Sequence, residues 1–508
     1  MSIPTRCCEV NLRDNVPAGP LVVCSVLPTD AEQAMQGLSR APAACGLIEL
    51  RADHLRADEI AGLARGAGRP LIVTIRRSGD GGAFDGSEEE REQGIRAALD
   101  SGVRFVDVEW DCPMAALIDD PALGSRVILS SHGVRCETAP LTALYRRMRA
   151  VSAGPLKIVA EARSVDEVAA VRGVLREAGQ DGGPLVAFAM GAPGAASRLL
   201  APSWGSWATY GALGVGSETA AGQYTAAEMI ETYDVLGIGP QTKIFALVGD
   251  RVESSPSPAM HAAGYRRCGL DARYLALETD SFEAFASLAD PQQGLGLSGF
   301  AVTIPFKEDA SARCCPQDAV SAACGAVNTV VVQDGAWKGY NTDGAGILNR
   351  LRTYFDPRGQ RTAIVGAGGT ARSIAFELVR AGSEVTIFNR TAERAREGAQ
   401  RVGAAAAPLA DLTDCAWDIL VNATPQGGDG RRFFDPDGLR GRIVIDAVYS
   451  PRPTALIQDA RERGIQTIDG LEMLAAQGVL QFKYMTGVDV EHDLLHAAAM
   501  QRISSFQA

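Results

Sequence analysis

The first half of the chain repeats one pattern eight times: a short apolar, β-branched run followed by a stretch that suits a helix. The runs begin near Leu21, Gly46, Leu71, Phe105, Arg126, Pro155, Pro184 and Trp207. Strands that alternate with helices form a parallel sheet, and eight even units over about 200 residues favour a closed (β/α)8 barrel over an open doubly wound sheet. The rest of the 508-residue chain leaves room for further domains of roughly 150 residues each.

Composition narrows the class of protein. The net charge is −12 and the chain has no basic block, so nucleic acid is not an expected partner. No apolar run reaches the ~18 residues of a membrane span, and the start MSIPTRCCEV has no apolar segment and no cleavage pattern. With its Met1 and short lead, the sequence predicts a complete, cytoplasmic chain. The 11 scattered cysteines lack metal-ligand spacing, which predicts reduced thiols and no metal site.

Lysine is scarce, and this makes each lysine informative. Only five of the 49 basic residues are Lys, so Arg supplies most of the positive charge. Lys157 and Lys307 are the two that lie in apolar stretches. An amine can form an imine or give up a proton, which a guanidinium cannot, so these two are candidates for chemistry.

Charged residues lie within or at the ends of the predicted barrel strands: Glu49, Arg51, Arg76, Asp107, Glu109, His132, Lys157 and Glu161. Charges inside a small barrel must be paired or must face a ligand. A structural ion network and a substrate site both remain open for the carboxylates at this point. In barrels of this kind, the active site lies at the carboxyl ends of the strands.

Six motifs in the first half resemble one known family. They are IELRAD, TIRRSGDGG, SSHG, PLKIVAEA, MGAPGAASR and TAAGQ, in this order. Together they resemble type I 3-dehydroquinate dehydratase over about residues 20–228, and we expect a barrel domain over residues 20–230. The resemblance implies that Lys157 forms an imine with the substrate ketone. It also implies that His132 removes the adjacent proton and later protonates the departing hydroxyl.

The same resemblance assigns the substrate contacts. Arg198 would hold the substrate carboxylate, and the further binding residues would be Ser25, Glu49, Arg51, Arg76, Thr219 and Gln223. One position departs from the family pattern, which has Glu where this chain has Asp80. The resemblance implies that this carboxylate orients His132, and a plain turn residue is the alternative.

The second half contains a nucleotide-binding pattern. A boundary is expected near residues 231–243, before the strand IFALVGD. The stretch TAIVGAGGTARSIAFEL reads as a strand, a glycine-rich turn and a helix, a pattern that places backbone amides against a pyrophosphate. The next strand ends in Asn389, Arg390 and Thr391 rather than in an acidic residue. An Arg beside neutral donors suits a 2′-phosphate, so the sequence predicts NADP(H) as the cofactor.

Nine motifs around this unit resemble shikimate dehydrogenase over about residues 244–506. They are VGDRVESSPSPAMH, GFAVTIPFK, GAVNTVV, GYNTDGAG, GAGGTAR, FNRT, VNATPQG, DAVYSPRPT and GLEMLAAQ. The resemblance implies a substrate domain over residues 244–346, completed by C-terminal helices at 476–508. It also implies a Rossmann NADP domain over residues 360–475.

The resemblance to shikimate dehydrogenase implies two sets of site residues. Lys307 and Asp343 would be the catalytic pair beside the ketone, with a surface lysine and a helix N-cap as the alternatives. Substrate would contact Ser255, Ser257, Thr303, Asn328, Tyr449 and Gln477. The cofactor would contact Gly366, Ala367, Gly368, Gly369, Thr370, Ala371, Asn389, Arg390, Thr391, Ala447 and Gly470.

The two resemblances imply consecutive reactions on one chain. Dehydration of 3-dehydroquinate gives 3-dehydroshikimate, and NADPH reduces this product to shikimate. The expected partners are these small molecules, with no membrane, and the protein is expected to be a monomer or a homodimer. Two alternatives stay open: a second half that uses quinate and NAD, and a first half that is an impaired binding module because of Asp80.

Overall fold

The structure is a computed structural model that describes residues 20–120, 122–290 and 294–507. The expectations about secretion and about Met1 concern residues 1–19, which lie outside the described residues. The chain divides into two compact units, one that runs to Thr242 and one that begins at Lys243, with the 284–295 stretch divided between them. Among the helices in these described ranges, none has the length and apolar character to cross a membrane.

The first unit is a nearly closed barrel of eight parallel strands. The strands are β1 Leu21–Val26, β2 Leu47–Arg51, β3 Leu71–Thr74, β4 Phe105–Glu109, β5 Val127–Arg135, β6 Leu156–Glu161, β7 Leu185–Met190 and β8 Ala208–Ala212. Their order is β7-β6-β5-β4-β3-β2-β1-β8. At the seam, the Trp207 amide before β8 donates to the Leu185 carbonyl of β7 at 3.2 Å. The predicted barrel is confirmed, and each strand begins within one residue of its predicted start.

Helices follow the strands of this barrel, and local sequence explains where they begin. They are α1 Ala31–Arg40, α2 Ala57–Gly66, α3 Glu88–Asp100, α4 Thr138–Val151, α5 Val168–Asp181, α6 Ala195–Leu200 and α7 Ala226–Glu231. Asp30 caps α1 by accepting from the Gln33 amide. Ser87 and Glu90 form a capping box at the start of α3.

The barrel interior has an apolar layer and a polar layer because side chains on a strand alternate with a period of two. Leu47, Ile72, Phe105 and Ile128, from the strand starts, belong to one buried apolar cluster. Two residues further along the same strands come Glu49, Thr74, Asp107 and Ser130, and all four are buried. The polar layer therefore lies directly next to a dry core.

The second unit begins with a mixed six-stranded sheet. Its strands are β9 Lys243–Gly249, β10 Ala272–Glu278, β11 Gly299–Val302, β12 Cys315–Pro316, β13 Thr329–Gln333 and β14 Ala336–Tyr340, in the order β10-β9-β11-β13-β14-β12. Strand β13 runs antiparallel to both β11 and β14. The helices of this region are α8 Ser257–Cys268, α9 Phe282–Ala289, α10 Lys307–Arg313, α11 Ala319–Cys324 and α12 Asp343–Leu351.

A second six-stranded sheet follows, and all of its strands are parallel. The strands are β15 Arg361–Val365, β16 Glu384–Asn389, β17 Ala405–Pro408, β18 Ile419–Asn422, β19 Ile443–Asp446 and β20 Gln466–Ile468. Their order β17-β16-β15-β18-β19-β20 is the Rossmann order, which confirms the predicted fold. The helices are α13 Gly369–Arg380, α14 Ala392–Val402, α15 Ala455–Glu462, α16 Gly470–Thr486 and α17 His492–Gln507.

The last two helices pack on the first sheet of this unit. Phe482 of α16 and Leu495 of α17 share a buried cluster with Phe245 of β9 and Met260 of α8. The C-terminal residues therefore contribute to the core of the region that begins at Lys243. The domain limits given from the sequence remain a prediction.

Candidate active sites

The barrel contains a cavity of about 120 Å³. Every side chain that the sequence assigned to the first reaction lines it: Ser25, Glu49, Arg51, Arg76, Asp80, His132, Lys157, Arg198, Thr219 and Gln223. These residues come from seven strands or from the segments that follow them, which include α6, and only the fold brings them together. The cavity is completed by apolar side chains that include Phe188, Met190 and Tyr210.

Lys157 lies buried between two carboxylates and an aromatic ring. Its Nζ is 3.3 Å from Glu49 Oε1, 3.1 Å from Asp107 Oδ2 and 4.1 Å from the centre of the Tyr210 ring. Burial would raise the pKa of Asp107, but Lys157 and Arg76 outweigh it and hold that pKa well below its usual range. The pKa of Glu49 is also lowered: burial opposes ionisation there, and Lys157 and Arg51 favour it. The lysine is thus in a site that stabilises a positive charge.

Arg76, two residues beyond the end of β3, extends this charge network to two carboxylates of β4. It donates to Asp107 Oδ1 at 2.8 Å and to Glu109 Oε1 at 2.6 Å. Glu109 Oε2 accepts from the buried Arg91 at 2.5 Å. Glu109 is therefore held in a structural ion network, whereas Asp107 is shared between that network and Lys157.

His132 lies in β5, beside an irregularity in the pairing of β5 with β6. Burial, followed by the charges of Arg76 and Lys157, places its pKa well below 6.5. The ring is therefore neutral near pH 7 and can accept a proton. Within the described part of the chain, His132 Nδ1 has no hydrogen-bond partner.

Asp80 has a different partner from the one that the family pattern implies. Its Oδ2 accepts from Arg77 Nε at 2.5 Å, in a short 3-10 turn that ends at Gly81 with φ +77°. Asp80 is therefore a turn residue, and it also lines the cavity. Its proposed orienting effect on His132 remains a prediction.

Arg198 is a buried cation that forms no ion pair within the described residues, although the charge of Glu49 partly favours it. Its residue exposure is 1%, and its Nε and Nη2 have no hydrogen-bond partner among the described residues. Burial lowers its pKa to about 10. The guanidinium packs on the Phe188 ring at 4.3 Å. A buried, unpaired guanidinium that lines a cavity is a ready site for a carboxylate.

The remaining predicted residues of the barrel site are bonded within the cavity wall. Ser25 donates to Glu49 at 2.7 Å, and Arg51 pairs with Asp53 at 2.7 Å. Thr219 donates to Gln223 Oε1 from both its amide and its hydroxyl.

In the second unit, Lys307 and Asp343 form a direct ion pair. The distance from Lys307 Nζ to Asp343 Oδ2 is 2.5 Å, and both side chains are largely buried. Lys307 also donates to Thr370 Oγ1 at 2.8 Å, and Thr370 donates to Asp343 Oδ2 at 3.0 Å. The surface-lysine alternative is wrong. The N-cap alternative for Asp343 is also wrong, because Thr342 occupies the N-cap position and Asp343 is the first helical residue.

Two of the predicted substrate residues, Asn328 and Gln477, are linked to this pair by hydrogen bonds. Asn328 Nδ2 donates to Asp343 Oδ1 at 2.7 Å and to Thr342 Oγ1 at 2.9 Å. Thr342 in turn donates to Gln477 Oε1 at 3.3 Å. Thr303 directly follows β11, and its amide donates to the Val248 carbonyl of β9.

Ser255, Ser257 and Tyr449 form a second polar group. Ser255 Oγ donates to Ser257 Oγ at 3.2 Å. Burial raises the pKa of Tyr449, and a hydrogen bond with Ser255 partly opposes this rise. These three hydroxyls, brought together by α8 and the segment after β19, suit a carboxylate.

The glycine-rich turn has the geometry of a phosphate-binding loop. Gly366 has φ +111°, and a Cβ there would lie 2.9 Å from Thr424 Cγ2, so glycine is required. Gly368 caps α13, whose first amides lack helical partners and can receive a pyrophosphate. Ala371 is fully buried in the core behind the turn. Ala371 would therefore support the cofactor site by packing behind the turn.

A polar cavity of about 370 Å³ adjoins this turn and contains Ala367, Gly368 and Asn389. Three arginines also line it: Arg372, Arg394 and Arg401. The sequence prediction named Arg390, which is exposed, and did not name Arg394, which is also exposed and lines this cavity. The signal available was the position of Arg394 in the first turn of α14, directly after the predicted residues 389–391.

The residues expected at the nicotinamide are close to each other. The Ala447 amide donates to the Asn422 carbonyl at 2.9 Å. A Cβ at Gly470 would lie 2.5 Å from the Val448 carbonyl oxygen, so the start of α16 closely approaches the 447–449 segment. Thr391 caps α14, and Asn389 donates to its carbonyl.

In the described ranges, no group of three or more His, Cys, Asp or Glu side chains could hold a metal ion.

Four family models match the chain in order. They are type I 3-dehydroquinase over residues 22–240, the shikimate dehydrogenase substrate-binding domain over 247–330, shikimate/quinate 5-dehydrogenase over 351–427, and the shikimate 5′-dehydrogenase C-terminal domain over 470–500.

Individual relatives agree with these models. The chain is 30% identical to the chloroplastic bifunctional 3-dehydroquinate dehydratase/shikimate dehydrogenase of Arabidopsis thaliana, over 96% of this chain and 85% of the relative. Its second half is 41% identical to an NADP(+) shikimate dehydrogenase of Halobacterium salinarum, over 51% of this chain and 99% of the relative. A solved shikimate 5-dehydrogenase from Thermus thermophilus, in complex with NADP(H) and shikimate, matches 51% of this chain and 99% of its own at 34% identity and a TM-score of 0.47. The chain therefore belongs to the family of bifunctional 3-dehydroquinate dehydratase/shikimate dehydrogenases.

Proposed function

We propose that this protein dehydrates 3-dehydroquinate to 3-dehydroshikimate in the barrel and reduces that product to shikimate with NADPH in the second unit. The observation that carries the proposal is the barrel cavity, where a buried lysine, a neutral histidine and an unpaired arginine meet. An amine, a base and an anion site are the parts that imine-assisted dehydration of a keto acid needs.

The dehydration follows from the positions of these groups. Arg198 binds the substrate carboxylate, which supplies the negative charge that the guanidinium lacks. The Lys157 amine attacks the ketone carbon, the carbonyl oxygen leaves as water, and a cationic imine forms. Glu49 and Asp107 lie where they stabilise that cation, as they stabilise the ammonium before reaction.

His132 then moves the proton. The imine acidifies the neighbouring C–H bond, and the neutral imidazole takes the proton while the C–H electrons pass into the imine nitrogen. The electrons return to expel the hydroxyl, which leaves as water with the proton from His132. Hydrolysis of the imine releases the enone and restores Lys157.

In the second unit, Lys307 is the proton donor for the carbonyl oxygen. Bound NADPH supplies the hydride to the carbonyl carbon. The Lys307 ammonium polarises the ketone and gives its proton to the oxygen as the carbonyl electron pair moves there. Asp343, held by Asn328, keeps the Lys307 side chain in place.

The residues present fit NADP(H). The glycine turn leaves space for a pyrophosphate at the start of α13, because a Cβ at Gly368 would meet nothing within 4 Å. The adjoining cavity is lined by Arg394, Arg372 and Arg401 and by the carboxylates Glu308 and Glu397, so arginines are in excess. Because Arg372 is paired with Glu308, Arg394 and Arg401 are the proposed contacts of the 2′-phosphate. Ala447 and Gly470 are the proposed contacts of the nicotinamide.

The proposal includes a cytoplasmic protein that is a monomer or a homodimer. The described cysteines are free thiols, which supports a reducing compartment. Sedimentation of the purified protein would measure its oligomeric state.

The imine is tested by trapping it. We expect borohydride added with 3-dehydroquinate to leave a reduced substrate adduct on the Lys157 peptide, identified by mass spectrometry. Lys157→Arg is the matched control, because it keeps a cation but cannot form an imine. An adduct on another residue, or dehydration by Lys157→Arg at the parent rate, would contradict the mechanism.

A further inference from the structure

Thr370 belongs to the glycine-rich turn, but its side chain is bonded to the Lys307–Asp343 pair. The Lys307 ammonium donates to its hydroxyl at 2.8 Å, and the hydroxyl donates to Asp343 Oδ2 at 3.0 Å. With the direct 2.5 Å contact between Lys307 and Asp343, the three groups form a closed triangle. Sequence reasoning placed Thr370 among the cofactor contacts only.

The main chain around Thr370 is fixed against the helix that carries Lys307. A Cβ at Gly369 would lie 3.7 Å from Lys307 Cδ, so the lysine side chain runs along the turn itself. Arg372, two residues further along α13, donates to Glu308 at 2.6 Å and to the Cys324 carbonyl at 2.8 Å. The start of α13 is therefore held to α10 on both sides of Thr370.

We propose that Thr370 is a positioning residue for carbonyl reduction, an inference that rests on the proposed roles of Lys307 and Asp343. An ammonium has three donors. Asp343 and Thr370 take two of them, which fixes the rotation of the group and leaves the third for the ketone oxygen. Without the hydroxyl, the ammonium can rotate about its remaining bond, and fewer bound substrates meet a correctly aimed proton.

Thr370 also links the proton donor to the cofactor. Its backbone amide lies in the first turn of α13, where the helix amides can receive the pyrophosphate. Its hydroxyl faces the catalytic pair. One residue thus joins the part of the site that holds the cofactor to the part that protonates the ketone.

Thr370→Val tests the inference, because it keeps the shape of the side chain and removes the hydroxyl. We expect kcat for reduction of 3-dehydroshikimate to fall roughly tenfold, the effect of losing a hydrogen bond to a charged group. The dissociation constant of NADPH should stay within about twofold, because the backbone contacts of the turn remain. The solvent deuterium isotope effect on kcat should rise, since proton transfer becomes slower.

Two further variants separate positioning from a general structural effect. Thr370→Ser keeps the hydroxyl and should recover most of the lost kcat. Thr362→Val is the matched control: it removes the hydroxyl of a buried threonine in β15, one that is bonded to Ser383 and not to the Lys307–Asp343 pair. It should leave kcat near the parent value. Dehydratase activity of each variant, measured on the same sample, reports intact folding of the first unit.

The outcomes distinguish the inference from the proposed function. Parent-like kcat in Thr370→Val, or an equal loss in Thr362→Val, overturns the role of Thr370. A parallel Lys307→Met variant should lose reduction almost completely. If Lys307→Met reduces the ketone normally, the proposed function of the pair fails instead.

Discussion

Two cations in the barrel differ in how the protein neutralises them. Lys157 has two carboxylates within 3.3 Å, whereas Arg198 is as deeply buried but has two nitrogen atoms without a partner. Burying an unpaired charge costs several kcal/mol, so the fold maintains Arg198 at the expense of stability. Under the proposed function, a substrate carboxylate would offset that cost on binding.

The pKa of His132 makes a direct prediction about pH. Burial and the nearby Arg76, Lys157 and Arg51 disfavour its protonated form and together outweigh Asp107, which favours it. The free imidazole should therefore stay neutral through pH 6.5 and below. We expect kcat/KM for dehydration to remain flat as the pH falls from 7.5 to about 6. An acid limb centred at pH 6.5 or higher in the pH–rate profile would contradict this assignment.

Much of the site could be predicted because its residue types are chemically distinctive. Lys157, His132 and Arg198 stand in separate motifs, and the structure brings all three to one cavity. Tyr210 was missed because a tyrosine in an apolar strand looks like core until its ring is found beside Lys157 Nζ. The hydroxyl bonds of Thr370 were missed for a related reason: they join α13 to Lys307 of α10 and Asp343 of α12, which are distant in sequence.

Strand and helix limits follow from local sequence where burial is periodic. The barrel strands begin where predicted because apolar, β-branched runs bounded by turns have few other conformations. Local sequence did not predict the first residue of α12 correctly. Asp343 looks like an N-cap, but tertiary contacts with Lys307 and Asn328 take its carboxylate, and Thr342 occupies the cap position. The nearly closed seam between β7 and β8 also depends on three-dimensional pairing that no single motif encodes.

Helix α8 contains a histidine that the chemistry does not use. His261 is 1% exposed and stacks on Tyr274 of β10, with ring centres 4.0 Å apart. Burial lowers its pKa to about 3. Below pH 6.5 the unfolded chain protonates this group and the folded chain does not, so the free energy of unfolding falls as the pH decreases between 6.5 and about 3.

His261→Phe should remove that dependence. Relative to the parent, the variant should gain about 2 kcal/mol in unfolding free energy on going from pH 7 to pH 5, because the folded-state penalty disappears. Urea unfolding of both proteins at the two pH values, with a probe in the second unit, measures the difference. A gain that is independent of pH would mean that packing alone is responsible.

The chain as a whole combines two units, and each has its own set of chemical groups. The dehydratase residues lie before Thr242, and the reductase residues lie after Lys243. We therefore expect each activity to be removable without the other. Because both activities belong to one chain, a single translation product supplies the two active sites in equal amounts.

The central claim is that both reactions occur on this chain at the assigned lysines. In the direct measurement, 3-dehydroquinate and NADPH are added to four samples: the parent, Lys157→Ala, Lys307→Met and an equal mixture of the two variants. The absorbances of the enone and of NADPH are then followed over time. We predict that the parent and the mixture form shikimate. Lys157→Ala should form no enone but should reduce added 3-dehydroshikimate, and Lys307→Met should accumulate the enone. Enone formation by Lys157→Ala, or shikimate formation by Lys307→Met alone, would contradict the account.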